Sequence, residues 1–262
     1  MSDGPRADVG IIGGSGFARF LDVAGEVVVD TPYGATSSPV TIADVSGVRV
    51  AFVPRHGIGH SLPPHRINYR ANISALAQLG VRGVVAPFAA GSLRREIPPG
   101  DLVVVDQFVD RTWGRADTFH DDFADGPQHV VVADPYDRRL RSVLVDVGRA
   151  HGFGVHDGGT VVVVNGPRFS TRSESTWFRE AGWHVVNMTQ YPEAALAAEA
   201  GLPFAGLALV TDYDSGVEDD PGVAPVTQEE VFAFFERNVD RLRDLLVDAA
   251  PQLAAVVGGP LD

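Results

Sequence analysis

Short runs of consecutive apolar residues recur along the chain, and stretches with helical spacing separate them. Val9–Ile12, Val27–Asp30, Val40–Asp44 and Val48–Val53 read as strands, followed by Val84–Ala86, Leu102–Val105, Thr160–Val164, His184–Asn187 and Pro203–Thr211. Runs this short and this apolar fit strands buried on both faces. Apolar positions three and four apart predict helices over Arg70–Leu79, Asp137–Ala150, Arg172–Ala181, Glu193–Ala200 and Gln228–Ala249. Thr227 followed by Glu230 forms a capping-box pair at the start of the last helix. Alternation of the two element types predicts an α/β fold around one mixed or parallel sheet. Arg115–Gly126 is polar and turn-rich, and Asp214–Pro225 is acidic with Gly and Pro, so both read as long loops. No linker, repeat or low-complexity tract divides the chain, and residues 1–262 read as a single domain.

Composition narrows the function classes. The chain is 45% hydrophobic and 21% charged, which excludes a disordered or fibrous protein. It has no cysteine, which excludes a disulfide scaffold, a zinc–thiolate site and a thiol nucleophile. A formal charge of −13 repels both nucleic-acid backbone and anionic membrane, so neither is expected as a partner. With no basic-then-apolar N-terminal segment and no apolar run of about 18 residues, a soluble cytoplasmic protein is expected. To bind an anion, so acidic a molecule must gather cations and oriented N–H groups at one place.

Six strand ends carry groups suited to that task. Val9–Gly16 (VGIIGGSG) is a strand entering a glycine-rich turn with Ser15 as a hydroxyl donor. It fails the dinucleotide pattern, because Arg19 stands where a third glycine belongs, and it fails the P-loop pattern for want of Gly-Lys-Ser/Thr. Pro54-Arg-His-Gly presents Arg55, whose planar fork suits phosphate, and His56 with a ring N–H. His60 and His65 lie near, without a neighbouring carboxylate, so an anion site ranks above a metal site. Phe88–Leu93 is a small-residue stretch after a strand, and core packing is its simpler reading. Asn165–Ser170 presents Phe169, able to stack on a flat ring or simply fill core, and Ser170. Asn187–Glu193 contains Met188 and Thr189. Thr211–Gly216 places Asp212 and Asp214 beyond a long apolar run; such a pair is an ordinary cap, or a general acid kept protonated by burial and its neighbour. Ligands of open α/β sheets sit at strand C-terminal ends. The six together describe a crevice for an anion and a planar ring.

The ordered set IIGGSG, PRHG, GSLRREIPPGDLVVVDQFVDRT, NGPRFSTRSES, NMTQYPEAALAAEAG and TDYD resembles the trimeric purine nucleoside phosphorylases, most of all their methylthioadenosine phosphorylase branch. The resemblance runs from about Val9 to about Val247. It implies a mixed central sheet flanked by helices, a homotrimer, no metal or organic cofactor, and inorganic phosphate as co-substrate. It also implies phosphorolysis of a purine nucleoside to free base and pentose 1-phosphate. By resemblance, Ser15, Arg55, His56, the Ala89 backbone and Thr189 cradle phosphate. Phe169 and Ser170 line the base pocket, Asp212 protonates purine N7, and Asp214 takes the exocyclic amino group. Met188 lies beside the ribose, and His129 serves the neighbouring subunit's sugar pocket. Gln228, Val231 and Phe232 surround the 5′ group.

The resemblance also implies a branch. The 6-oxo branch carries an amide at Asp212 and Glu at Ser170, so the carboxylate here favours a 6-amino purine. Two positions depart from the methylthioadenosine branch: Phe88 replaces a phosphate-contacting threonine, and Gln228 replaces an apolar residue of the 5′ pocket. The expected substrate is S-methyl-5′-thioadenosine or a related 5′-substituted adenosine. Adenosine or a 6-oxopurine nucleoside is the alternative within the class, and a non-catalytic nucleoside-binding protein the alternative outside it.

Overall fold

The computed structural model describes residues 6–14, 25–122, 124, 126–215 and 227–258. In chain order the strands are β1 Val9–Gly13, β2 Gly25–Val27, β3 Val40–Val45, β4 Val48–Pro54, β5 Val84–Ser92, β6 Leu102–Val104, β7 Gln107–Arg111, β8 Val155–Asp157, β9 Thr160–Val164, β10 Val185–Asn187 and β11 Phe204–Tyr213. The helices are α1 Tyr69–Gln78, α2 Arg138–Ala150, α3 Arg172–Glu180, α4 Gln190–Glu199 and α5 Gln228–Val257. All of these strands join one mixed sheet, with parallel pairs such as β1·β4 and antiparallel pairs such as β3·β4.

The sheet is buried on both faces. Ile12, Val53, Ala86 and Phe88 face one core, with Ile73 and Leu76 of α1 and Leu196 of α4. Ile11, Phe52, Val85 and Leu207 face the other, with Leu140 of α2 and Leu245 of α5. Alternation at the two-residue period therefore feeds two apolar layers, which is why these runs read as uniformly apolar. Each helix entry is fixed locally. The Asp137 side chain accepts from the backbone N–H groups of Arg139 and Leu140. Thr171 with Glu174 and Thr227 with Glu230 form capping boxes.

β5 organises the functional end of the molecule. One of its edges pairs along nearly its whole length with β11. Its other edge is shared. Val84 and Val85 pair with parallel β1, whereas Gly91 and Ser92 pair with antiparallel β10. The C-terminal ends of β1 and β10 thus approach each other along one edge of β5 and leave the edge open between Val85 and Gly91. Buried backbone acceptors need partners, and side chains supply them: Arg55 Nη1 donates to the Pro87 carbonyl at 3.3 Å and Asn187 Nδ2 to the Ala89 carbonyl at 3.2 Å. Pro87, with no N–H to offer, is tolerated in a central strand because it falls at this gap.

Several expected bounds are corrected. The strand expected over Val84–Ala86 runs to Ser92, so Phe88–Gly91 lie in a strand and not after one. Asp212 is likewise inside β11. The expected strand Val27–Asp30 is the short β2, ending at Val27. β7 and β8 were not expected. The last helix continues past Ala249 and through Pro251 to Val257. The expected loop Arg115–Gly126 falls in the 112–136 segment, whose described residues hold no helix or strand. The expected loop Asp214–Pro225 lies almost wholly outside the described residues. No helix among the described residues is long and apolar enough to cross a membrane.

Candidate active site

The gap in the β5 edge opens into a cavity of about 210 Å³. Its lining includes Arg55, His56, Ala89, Phe169, Ser170, Met188, Thr189, Asp212, Asp214, Val231 and Phe232. Eleven positions chosen from the sequence thus meet at one place, drawn from β5, β11, α5 and the turns that follow β4, β9, β10 and β11. Ser15 lies outside the described residues, and so does the side chain of Gln228. His129 is exposed on the 112–136 segment and is not among the lining residues. Gly14, which precedes Ser15, does line the cavity.

At the anion end, Arg55 is 1% exposed. Its Nε and Nη2 donate to the two oxygens of Glu193, Nη2 also to the Ile12 carbonyl at 2.9 Å, and Nη1 to the Pro87 carbonyl. Four of the five N–H groups of an arginine are therefore committed, and one on Nη1 is left. A Cβ on Gly14 would lie 3.6 Å from that Nη1, so the turn after β1 runs beside the remaining donor. Burial pushes the Glu193 carboxyl up, and Arg55 pulls it back.

The ring N–H of His56, expected as a donor to an anion, is spent on the chain instead. Its Nδ1 is 2.8 Å from the Leu62 carbonyl, an oxygen that can only accept, so Nδ1 carries the proton. Burial, reinforced by the charge of Arg55, holds the ring down at a pKa of about 3. His56 is therefore neutral near pH 7, and Nε2 offers a lone pair. His60 stacks on it at 4.2 Å and meets the edge of Phe232 at 5.5 Å. Thr189 stands just before α4 and lines the cavity. Asn187 fixes that turn: its Oδ1 accepts from the N–H groups of Thr189 at 2.6 Å and Gln190 at 2.8 Å.

At the opposite end are two carboxyls. Strand β11 shifts register against β5 between Val210 and Asp212, and a bulge of this kind re-aims the side chain that follows it. Burial raises the Asp212 carboxyl to about 6; the Thr211 hydroxyl opposes this from 2.6 Å, and Asp214 and Glu230 add to it. Burial also raises Asp214, against the pull of the nearby Ser175 hydroxyl, the Ser215 backbone N–H and the Ser170 hydroxyl. Among the described residues the Ser170 hydroxyl is near Asp214 without a hydrogen bond of good geometry, so both Ser170 Oγ and Asp214 Oδ2 are buried and incompletely satisfied. Gly91 makes room for the pair, since a Cβ there would lie 3.1 Å from Asp212 Oδ2 and 3.3 Å from Asp214 Cβ. Phe169 and Met188 lie between the two ends. Met188 packs on Gly166, which has φ +64° and where a Cβ would come within 2.6 Å of the Met188 sulfur.

Sequence reasoning did not assign Glu193, Asn187 or Gly91, although all three stand in the quoted motifs. Their functions are contacts with residues about a hundred positions away. Among the described residues no three His, Cys, Asp or Glu side chains are grouped to hold a metal ion.

This geometry has counterparts among known proteins. Residues 8–250 match the model of the family described as the phosphorylase superfamily. A purine nucleoside phosphorylase of Streptomyces coelicolor is 52% identical, over 97% of this chain and 92% of its own. An S-methyl-5′-thioadenosine phosphorylase of Mycolicibacterium smegmatis is 50% identical, over 92% of this chain and 89% of its own. The solved structure of methylthioadenosine phosphorylase from Schistosoma mansoni with adenine superposes with a TM-score of 0.88 at 37% identity, covering 98% of this chain and 93% of that one. With an open β5 edge flanked by an arginine, a helix start, the half-buried Asp212 and the buried Asp214, and with these relatives spanning its length, the chain belongs to the phosphorylase superfamily.

Proposed function

We propose that the whole 262-residue chain is one catalytic domain that cleaves S-methyl-5′-thioadenosine, or a closely related 5′-substituted adenosine, with phosphate. The observation that carries this reading is the placing of Asp212 and Asp214 in the same cavity as Arg55, His56 and Thr189. One end offers donors for an oxyanion, and the other a half-buried acid, Asp212, beside the buried Asp214. The names of the relatives from Mycolicibacterium smegmatis and Schistosoma mansoni support the same substrate.

The reaction makes the C1′–N9 bond the one that breaks. As it lengthens, positive charge builds on the sugar, and phosphate bound at Arg55, Ser15, Thr189 and the Ala89 backbone lies opposite that charge. A phosphate oxygen then bonds to C1′. The electron pair released to the purine is met by a proton, which Asp212 delivers to N7. An acid with a pKa near 6 still holds part of its protons near neutral pH and releases them readily, as general acid catalysis requires. Asp214 Oδ2 accepts from the 6-amino group. His56 contributes its Nε2 lone pair to the P–OH of hydrogen phosphate. Phe169 stacks on the base, Met188 packs against the ribose, and Val231, Phe232 and Gln228 surround the 5′ substituent.

The active assembly is a homotrimer in this reading. Trp113 and Val131, 76% and 86% exposed, stand on the same 112–136 segment as His129. They supply the apolar contact that brings His129 to a neighbouring subunit's sugar.

A 6-oxo or unmodified nucleoside is the second reading, favoured by the purine nucleoside phosphorylase of Streptomyces coelicolor. Initial rates with methylthioadenosine, adenosine and inosine, each with and without phosphate, separate these readings. Phosphate-dependent adenine release fastest from methylthioadenosine is expected. Faster cleavage of inosine overturns the branch, and nucleoside binding with no phosphate-dependent cleavage overturns the enzyme.

A further inference from the structure

We propose that Arg115 is the positioning residue of the nucleoside half of the cavity, clamping three chain segments whose turns form its wall. It lies outside every motif read from the sequence, at the edge of the expected loop, and it is not among the lining residues. Yet its guanidinium gathers carbonyl oxygens from positions far apart in the chain. Nη2 donates to the Asn165 and Met188 carbonyls, each at 2.9 Å. Nη1 donates to the Tyr191 carbonyl and to the Tyr69 hydroxyl. The guanidinium also sits 5.4 Å from the centre of the Tyr69 ring.

Each contact leads to a residue of the wall. Asn165 begins the turn through Gly166 and Pro167 to Phe169, and Pro167 and Phe169 both line the cavity. Met188 lines it too and packs on Gly166, so the two carbonyls held by Nη2 belong to segments already in contact. Tyr69 passes the link on, its hydroxyl donating to the carbonyl of Pro64, another lining residue, at 2.8 Å. The clamp itself is anchored. Trp113 N–H reaches Asn165 Oδ1, Tyr191 donates to Asp117, and Thr118 and Phe119 donate to Glu199 of α4.

The chemistry explains why this is an arginine. Three carbonyls converge on one point, so their negative ends repel unless a cation lies between them. Among the described residues the hydrogen bonds of Arg115 go to the three carbonyls and to Tyr69, and its charge is also felt by the buried Glu193 carboxyl. A planar fork reaches them in two directions at fixed angles, and a compact ammonium does not. Loss of the fork lets the Asn165–Pro167 turn and the Met188 segment part. The nucleoside side of the cavity then widens, while Arg55, His56 and Thr189 keep their own partners.

The inference rests on reading the cavity as a nucleoside site, and the experiment separates the two. Arg115→Ala and Arg115→Lys are compared with the unmodified protein for the KM of methylthioadenosine and of phosphate. Binding of tubercidin, an adenosine analogue with carbon in place of N7, is measured by calorimetry alongside. A displacement on the scale of one ångström costs on the order of 100-fold. Arg115→Ala is therefore expected to raise the nucleoside KM roughly 10- to 100-fold and to weaken tubercidin to match, with phosphate KM within about threefold. Arg115→Lys falls between, and methylguanidinium added to Arg115→Ala restores part of the loss. Equal rises in both KM values overturn the proposal, as does a lowered melting temperature with unchanged kinetics. If Arg115→Ala does not fold, Arg115→Lys alone decides by the same KM split. If the unmodified protein turns over no nucleoside but binds tubercidin, the functional reading fails, and the tubercidin affinity of Arg115→Lys still decides the clamp.

Discussion

Arg55 and Glu193 form a two-point ion pair beneath the cavity, 138 positions apart in sequence and out of contact with water. The pair does more for geometry than for stability. It aims the one uncommitted Nη1 N–H past Gly14, and its charges nearly cancel, so the anion is recognised by directed donors more than by net charge. Arg55→Ala leaves a buried carboxylate alone, which costs about 3–5 kcal/mol and shows as a lower urea midpoint. Arg55→Met combined with Glu193→Leu removes both charges and is expected to recover most of that loss, while phosphate KM stays raised at least tenfold. Recovery of phosphate affinity in the double variant would remove Arg55 from the cradle.

Asp212 carries a stability cost that its proposed role explains. Its pKa in the folded protein, about 6, lies above the ordinary 3.8. The sign follows from linkage: the protonated form is favoured by folding, so its contribution is present below about pH 4 and lost as pH rises through about 6. At neutral pH the ionised carboxylate is held in a site that disfavours it. Asp212→Asn is therefore expected to stabilise the protein at pH 7 by up to about 3 kcal/mol, with no gain below about pH 4. The same change is expected to lower turnover of methylthioadenosine about 10²–10⁴-fold, and to remove a fall in kcat/KM that is expected of the unmodified protein as pH rises through 6. Melting curves and rate profiles over pH 4–8 check both. An unchanged rate would mean that Asp212 delivers no proton.

Phe88 sits at the open edge of β5, 1% exposed and lining the cavity beside Ala89. Its ring offers no hydrogen bond to an anion. Phe88→Thr places a hydroxyl there and is expected to lower phosphate KM several-fold, at a stability cost of about 3–5 kcal/mol for the buried ring. A rise in phosphate KM would instead make the ring part of the wall that holds the anion in place.

The sequence was most readable where one residue type does one local thing. The apolar runs gave β1, β3, β4 and β9 within a residue or two, and Thr227 with Glu230 gave the start of α5. Phe88–Gly91 was not readable as strand, because Ala and Gly carry little strand preference and the segment is held by β11 on one side. β7 and β8 hid for another reason: Gln107–Arg111 is partly exposed at a sheet edge, and Val155–Asp157 is only three residues long. The cavity-lining residues were legible as six strand ends with polar or small groups. Their supports were not. Glu193 reads as an ordinary helix-start carboxylate, and Arg115 as a loop cation. Only the fold brings Arg55 to one and three distant carbonyls to the other.

Gly166 gives the sharpest test of how closely the ribose wall is fitted. Its φ of +64° is a conformation that residues with a side chain rarely adopt, and a Cβ there would come within 2.6 Å of the Met188 sulfur. Gly166→Ala therefore carries a backbone cost of roughly 1–2 kcal/mol and must also push Met188 from its place. Methionine is flexible and finds another rotamer, so the protein is expected to fold with a modestly lower melting temperature. The ribose then loses its packed wall. Nucleoside KM is expected to rise at least fivefold, while phosphate KM stays within twofold, because the atoms nearest a Cβ there belong to Met188 and Pro64 and not to Arg55. Pairing Gly166→Ala with Met188→Ala refines the test. If displacement of Met188 is the whole effect, the double variant binds nucleoside no worse than Met188→Ala alone. Additive losses would show that Gly166 also shapes the turn leading to Phe169, and steady-state kinetics on the four proteins of the cycle distinguish the two.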